Sequence, residues 1–270
     1  MNSAKLRRFF EQRRVRGEPL VLVQVTATEG STYSKANDLM LIDQQGVACG
    51  MLSGGCLESD LVARAQVVLE SGKSQSVTYK LASDDDDVWG LGIGCDGSMT
   101  IGLQLIDKDS NYSPLEIPQP VELLVLGGGL DAVPLTRLAA EIGWHCTVVD
   151  HRPAYIERGD FPDDCDRHCI AADSLAEHLN IESFDGAIVM SHHLESDREY
   201  LRQIASADLD YAGLLGPPAR KDRLLSELGD AGQNLRERLH GPAGLGLGGR
   251  GPEVIALSII AQIQQELAVD

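Results

Sequence analysis

The spacing of apolar residues changes character partway along the chain, near residue 120. Before that point, Leu6, Phe9 and Phe10 fall among Lys5, Arg7, Arg8, Arg13, Arg14 and Arg16, which predicts an amphipathic helix packed by its apolar side with a solvated basic face. Leu20 to Thr26 then reads as a buried strand. Leu39 to Asp43 and Val47 to Leu52 read as two more, turned by Gln44-Gln45-Gly46. Leu57 to Glu70 has helical periodicity, and Ser76 to Leu81 and Ser98 to Ile106 return to strand composition. Between those last two strands lie Asp84 to Asp87 and the glycine-rich stretch Gly90 to Gly97. The expected product is a small α+β domain with a mixed or antiparallel sheet, spanning residues 1–112.

Residues 107–120, DKDSNYSPLEIPQP, carry three prolines and no period, so a linker is placed at 113–120. Beyond it, short apolar strands alternate with helices. Strands are expected at 121–126, 145–149, 186–190 and 211–215, and helices at 131–142, 195–204, 220–228 and 252–267. Parallel neighbours need crossover helices, so residues 121–270 predict an α/β, Rossmann-like, doubly wound parallel sheet.

Charge narrows the partners. The chain has 23 basic and 41 acidic residues, a net charge of −18, which repels phosphate backbones and anionic lipid. Neither nucleic acid nor membrane is expected as a partner. No apolar run approaches the roughly 18 residues that span a bilayer, and the six scattered cysteines do not form a disulfide framework. A cytoplasmic protein with reduced thiols is the expectation.

Two glycine turns carry the candidate chemistry. Val121 to Leu126 runs into Gly127-Gly128-Gly129-Leu130-Asp131-Ala132, a G-x-G-x-x-A turn opening a helix. Gly127 and Gly129 permit close backbone approach to a phosphate at the helix amides. Asp150, at the end of the next strand, lies 21 residues after Gly129, where a carboxylate can accept from an adenosine ribose. Asp131 reads as a helix N-cap, and one of His192 and His193 is expected to face the crevice while the other is solvated. The second turn, Ser53-Gly54-Gly55-Cys56-Leu57-Glu58, leads into the helix at 57. A thiol there favours the thiolate, a nucleophile or soft metal ligand, and the flanking glycines allow a ligand to approach. Cys95, in GLGIGCDG, lies in a second glycine loop of the same domain. Cys146 reads as core, and Cys165, His168 and Cys169 form only a weak metal-ligand pattern.

Taken in order, GSTYSKANDLMLI (30–42), GMLSGGCLESDL (50–61), GLGIGCDGSMTIGL (90–103), VLGGGLDAVPLTRLAAEIGWHCTVVDHRP (125–153), IVMSHH (188–193), YAGLLGPPARKDRLL (211–225) and HGPAGLGLGGRGPEVIALSIIAQI (240–263) resemble the xanthine dehydrogenase accessory protein family of XdhC/CoxI type. The resemblance implies a homodimeric chaperone that binds the molybdenum cofactor (molybdopterin) and protects it while a cysteine desulfurase supplies a terminal sulfur. It implies delivery to an apo molybdenum hydroxylase of xanthine dehydrogenase type. Ser53, Gly54, Gly55, Cys56, Glu58, Cys95, Gly127, Gly129, Asp150 and His192 are the expected cofactor-binding residues, with Cys56 a candidate molybdenum contact. The chain departs from the family's usual pattern at Leu130-Asp131, at His193 and in GLGLGGRG. Two alternatives stand beside it: an NAD(P)-dependent oxidoreductase using the Rossmann turn, and a thiol redox sensor using Cys56 and Cys95.

Overall fold

A computed structural model describes residues 3–80, 97–113, 115–158 and 160–267, which divide into two compact units, 1–119 and 120–270. The first unit runs α1 (Ser3–Arg16), β1 (Leu20–Glu29), β2 (Leu39–Asp43), β3 (Ala48–Cys49), α2 (Glu58–Ser71), β4 (Gln75–Lys80) and β5 (Ser98–Ile106). Its sheet is antiparallel throughout, in the order β3-β2-β1-β5-β4. Alternation along β1 explains the layering, because successive side chains leave a strand on opposite faces. Val21, Val23 and Val25 pack with Leu57, Leu61, Ala65 and Val68 around α2, whereas Leu20 and Leu22 pack with Leu6 and Phe9 of α1.

The basic face of α1 is not wholly solvated, as its charge pattern suggested. Arg13 turns inward, its guanidinium 3.7 Å from the Phe9 ring centre and 2.9 Å from the buried Asp43 carboxylate, and Arg7 donates to the Ile117 carbonyl. The strand expected at Val47 to Leu52 shrinks to Ala48–Cys49. Val47 is half exposed, and Gly50 turns the chain with φ 101° where a side chain would strike the Leu39 carbonyl. Cys95 and the aspartates 84–87 lie outside the described residues.

The second unit runs β6 (Glu122–Leu126), α3 (Ala132–Ile142), β7 (His145–Asp150), α4 (Pro153–Ile156), β8 (Asp166–Cys169), α5 (Leu175–His178), β9 (Gly186–Val189), α6 (Leu194–Ile204), β10 (Tyr211–Leu214), α7 (Pro218–Glu227), α8 (Asp230–Leu235), β11 (Leu239–His240) and α9 (Pro252–Leu267). All six strands are parallel, in the order β11-β10-β9-β6-β7-β8. This is the doubly wound Rossmann arrangement, and its topological switch point lies between β6 and β9. Both faces of β6 are buried, which is why its sequence is continuously apolar. Leu123 and Val125 meet α3 and the Ala256, Ile259, Ile260 and Ile263 stripe of α9, while Leu124 and Leu126 meet Tyr200, Leu201 and Ile204 of α6.

At the amino ends of β6, β7 and β8, His145 joins two acids. Its Nδ1 is 2.7 Å from Glu122 Oε2 and its Nε2 is 3.6 Å from Asp166 Oδ2. The hydrogen bond to Glu122 outweighs burial and raises the imidazole above its ordinary value. A raised folded value means stability that is fully present below the unfolded pKa of about 6.5 and is lost as pH rises through the folded one. The groups are partly exposed, so we expect the stability advantage of the native chain over His145→Asn to shrink by about 0.5–1 kcal/mol between about pH 6 and about pH 9. Denaturant titrations of both proteins at the two pH values read this, and an advantage that grows with pH would contradict it.

Candidate functional site

The thiol turn is held by one side chain. Glu58, the first residue of α2, folds back so that Oε1 accepts from the Leu52 amide at 3.0 Å and the Ser53 amide at 2.9 Å, while Oε2 accepts from the Ser53 hydroxyl. That hydroxyl accepts in turn from the Leu57 amide at 2.7 Å, closing the loop on itself. Burial works against ionisation of Glu58, but the Ser53 hydroxyl and the Ser53 and Leu52 amides outweigh it and hold the carboxyl below its usual range. Ser53 and Glu58 therefore brace the turn.

What the brace presents is open. Gly54 and Gly55 have φ 74° and 109°, a region that favours glycine. A side chain on Gly54 would rest against the exposed Tyr33 ring at 3.5 Å, and among the described residues nothing stands within 4 Å of the corresponding position on Gly55. The Cys56 thiol is exposed. Helix α2 has Leu57 as its N-cap, so Cys56 sits just outside the helix rather than in its first turn. Met51, also exposed, lies 3.9 Å by its sulfur from the Tyr33 hydroxyl.

The Rossmann turn is filled differently. Gly127, with φ 127°, packs so tightly that a side chain would come within 2.5 Å of the Ser191 amide, joining the loops that follow β6 and β9. Asp150 is wholly buried, and both of its oxygens are spent. Oδ1 accepts from the Arg152 amide at 2.9 Å and Arg152 Nε at 2.8 Å; Oδ2 accepts from the Gly128 amide at 2.9 Å and Arg152 Nη2 at 2.8 Å. Burial raises its pKa, yet the Arg152 guanidinium and the two amides prevail and hold it below the ordinary carboxylate range. The expected ribose acceptor is an internal anchor instead, and it consumes the Gly128 amide that a pyrophosphate would need.

Asp131 occupies the N-cap position of α3, but its side chain does not cap. It meets His192 Nε2 at 2.8 Å, and the His192 ring stands 3.6 Å from where a Gly129 side chain would begin. His192 adopts φ 59°, unusual for a residue with a side chain. His193 is not idle solvent decoration: its Nδ1 accepts from the Ser196 amide and caps α6. Cys146 is fully buried, with its thiol pushed well above the ordinary value by burial. Burial also pushes Cys165 up to about 12, whereas Cys169 is exposed, and no group of three metal-ligating side chains forms among the described residues.

Sequence reasoning missed Arg152, Ser191, Asp197 and Arg220. The Ser191 hydroxyl donates to Asp197 Oδ1, and Asp197 Oδ2 accepts from Arg220 Nε at 3.1 Å and from Nη2. Only the proximity of Arg152 to Asp150 in sequence offered a signal. No described helix is long and apolar enough to cross a membrane.

Comparisons with known proteins show the family of the chain. Residues 123–263 match the family model described as the XdhC Rossmann domain, and residues 14–80 match that of the XdhC and CoxI family. A Bacillus subtilis protein named as a probable xanthine dehydrogenase subunit is 29% identical, over 92% of this chain and 93% of its own length. The Escherichia coli molybdenum cofactor insertion chaperone PaoD is 21% identical, over 95% and 86% respectively. A Bacillus halodurans crystal structure described as that of a xanthine dehydrogenase superposes with a TM-score of 0.81 at 27% identity, covering 99% of this chain and 96% of that one.

If Glu58 braces the turn, Glu58→Ala should cost about 2 kcal/mol of stability in the first unit. Hydrogen exchange at the Leu52 and Ser53 amides should accelerate by about tenfold or more. Unchanged exchange at both amides would remove the brace.

Proposed function

The chain belongs to the XdhC and CoxI family, and from that premise we propose that it is a molybdenum cofactor insertion chaperone serving an apo molybdenum hydroxylase of xanthine dehydrogenase type. The observation that carries the reading is the exposed Cys56 thiol on an open Gly54-Gly55 turn braced by Glu58. The name of the Escherichia coli relative, an insertion chaperone, points the same way.

The donor set suits the cofactor. A soft sulfur at the surface matches a molybdenum centre, and Gly55, with no described atom within 4 Å of where its side chain would begin, leaves room for a bulky dithiolene head. When bound, the cofactor supplies the redox-active metal that the client enzyme needs. The chain's own part is to bind, shield and release. Cys56 offers a single sulfur contact, Tyr33 lies against the turn at Gly54 as an aromatic wall, and Glu58 and Ser53 keep the turn in shape by hydrogen bonds that do not involve the ligand. One sulfur on an exposed loop makes a contact that a deeper site in a client can outcompete. Sulfur addition by a cysteine desulfurase before transfer, a second contact from Cys95, and a homodimeric, cytoplasmic assembly complete the proposal.

The oxidoreductase alternative loses its structural basis at Asp150. A carboxylate with no exposed surface and four donors already bound cannot receive a ribose hydroxyl, and the Gly128 amide that would meet a pyrophosphate is bonded to the same carboxylate.

Cys56→Ser tests the proposal. In protein purified from a molybdate-fed host, the variant should retain at least about tenfold less molybdopterin, read as fluorescence of the oxidised pterin, and should activate apo client correspondingly less. Full pterin content together with full client activation would take Cys56 out of the mechanism.

A further inference from the structure

The carboxyl edge of the parallel sheet holds a second polar construction that the thiol turn does not use. It centres on Ser191, the second residue after β9 at the switch point. Arg152 Nη2 donates to the Ser191 carbonyl at 3.4 Å, and the Ser191 hydroxyl donates to the carboxylate that holds Arg220. Ser191 therefore links two guanidinium groups, one from the loop after β7 and one from α7. Each is aimed by a wholly buried aspartate, Asp150 behind Arg152 and Asp197 behind Arg220.

Each arginine keeps donors unspent: Arg220 its outer edge, and Arg152, whose Nη2 also serves the Ser191 carbonyl, its Nη1. Both commit Nε and Nη2 to carboxylates, and neither Nη1 donates to any described residue. Their side chains remain 32% and 23% exposed, whereas those of their aspartates are at 1%, so the arginines reach solvent and the compensating carboxylates do not. Arg152 is further fixed by stacking, with Cζ 3.8 Å from the Tyr155 ring centre. Gly216, at φ 134°, gives Arg220 its place, since a side chain there would come within 2.8 Å of Arg220 Cδ. The Tyr200 hydroxyl is buried within the field of Asp150, Arg152 and Asp197 and has no hydrogen-bond partner among the described residues.

We propose that this crevice binds a phosphate monoester, gripped by Arg152 and Arg220 across Ser191. Fixed, planar guanidinium groups are matched to phosphate oxygens, and a monoester has three terminal oxygens to share between the outer edge of Arg220 and Nη1 of Arg152, where a diester has two. The position at the switch point is where open parallel sheets bind ligands. A dinucleotide does not fit this arrangement, because its pyrophosphate cradle is closed by Asp150 on the Gly128 amide and by His192 over Gly129. The net charge of −18 repels anions from the rest of the surface, so a directed site is what retention of one requires. The inference does not rest on the chaperone reading. A phosphate monoester is the chemistry both of a nucleoside monophosphate and of the side chain of a phosphorylated pterin, and the test separates these sources.

The full chain is titrated calorimetrically with inorganic phosphate, AMP, NAD and the oxidised, phosphate-bearing pterin. Phosphate and AMP should bind with dissociation constants of about a millimolar or tighter and compete with each other, and NAD should bind at least about tenfold more weakly than AMP. The pterin displacing AMP more tightly than AMP binds assigns the site to the cofactor; the reverse order assigns it to a nucleotide. Arg152→Lys and Arg220→Lys retain charge over the buried aspartates but lose the fork, and each should weaken AMP by about tenfold. Because a variant can fold poorly, the native chain is also labelled with phenylglyoxal, and phosphate should protect Arg152 and Arg220, as located by peptide mass spectrometry. Cys56→Ser should bind AMP as the native chain does, which keeps this outcome separate from that of the thiol turn. Absence of both binding and protection at about 10 mM phosphate, NAD binding as tightly as AMP, or unchanged affinity in both well-folded lysine variants overturns the proposal.

Discussion

A carboxylate removed from water must gather donors from its surroundings, and in this protein that requirement organises the places where chemistry is concentrated. Leaving such a charge without a partner costs several kcal/mol, more than most single contacts contribute. Asp150 meets the requirement by drawing in Arg152 and two backbone amides, one of them from the glycine turn. Asp197 meets it with Ser191 and Arg220. The same solution recurs in the first unit, where Asp43 gathers Arg13 and the Gln45 and Val47 amides, and Glu58 gathers the thiol turn. In each case the carboxylate fixes a loop, so loops that would otherwise be adaptable become rigid mounts for the side chains beside them.

Much of the architecture was legible because hydrophobic burial leaves a periodic trace. The α9 stripe of Ala256, Ile259, Ile260 and Ile263 and the continuously apolar β6 are read correctly because each element buries what its period exposes to the core. The family resemblance was legible for another reason: the glycine turns need particular backbone conformations, so their residues stand in fixed order. Strand β8 was missed because Asp166–Cys169 is an edge strand of polar composition, held by pairing with β7 rather than by an apolar face. The strand expected through Val47 to Leu52 fails for the converse reason, since its apolar residues are partly solvent-facing and Gly50 ends the pairing.

The candidate site was legible only in its residue types. That Cys56 would sit on a glycine turn followed from local sequence, but that Glu58 would face inward as a brace did not, because its partners are set by the path of the loop. Asp150 is the sharper case. Its place after the second strand suggested a ribose acceptor, and the deciding residue was Arg152, two positions on, whose guanidinium claims both oxygens. Ser191, Asp197 and Arg220 come together only through the crossover connections of the sheet, and no spacing in the chain announces that meeting.

The two glycine turns show why the glycine signal alone does not identify a ligand. Glycine removes a side chain, and the physical question is what takes the space released. At Gly127 the space is taken by the Ser191 backbone, so the glycine serves packing at the switch point. At Gly55 no described residue takes it, and the backbone stays open beside an exposed thiol. A fingerprint that favours dinucleotides in other Rossmann domains is here committed to joining two loops, while the guanidinium donors left unspent belong to Arg152, after β7, and to Arg220, on α7. Among the described residues, the turn without a nucleotide fingerprint is the one that keeps its approach free. What a glycine turn can offer a ligand is therefore decided by what fills it: the filled turn fixes two loops to one another, and the unfilled one leaves its backbone accessible beside an exposed thiol.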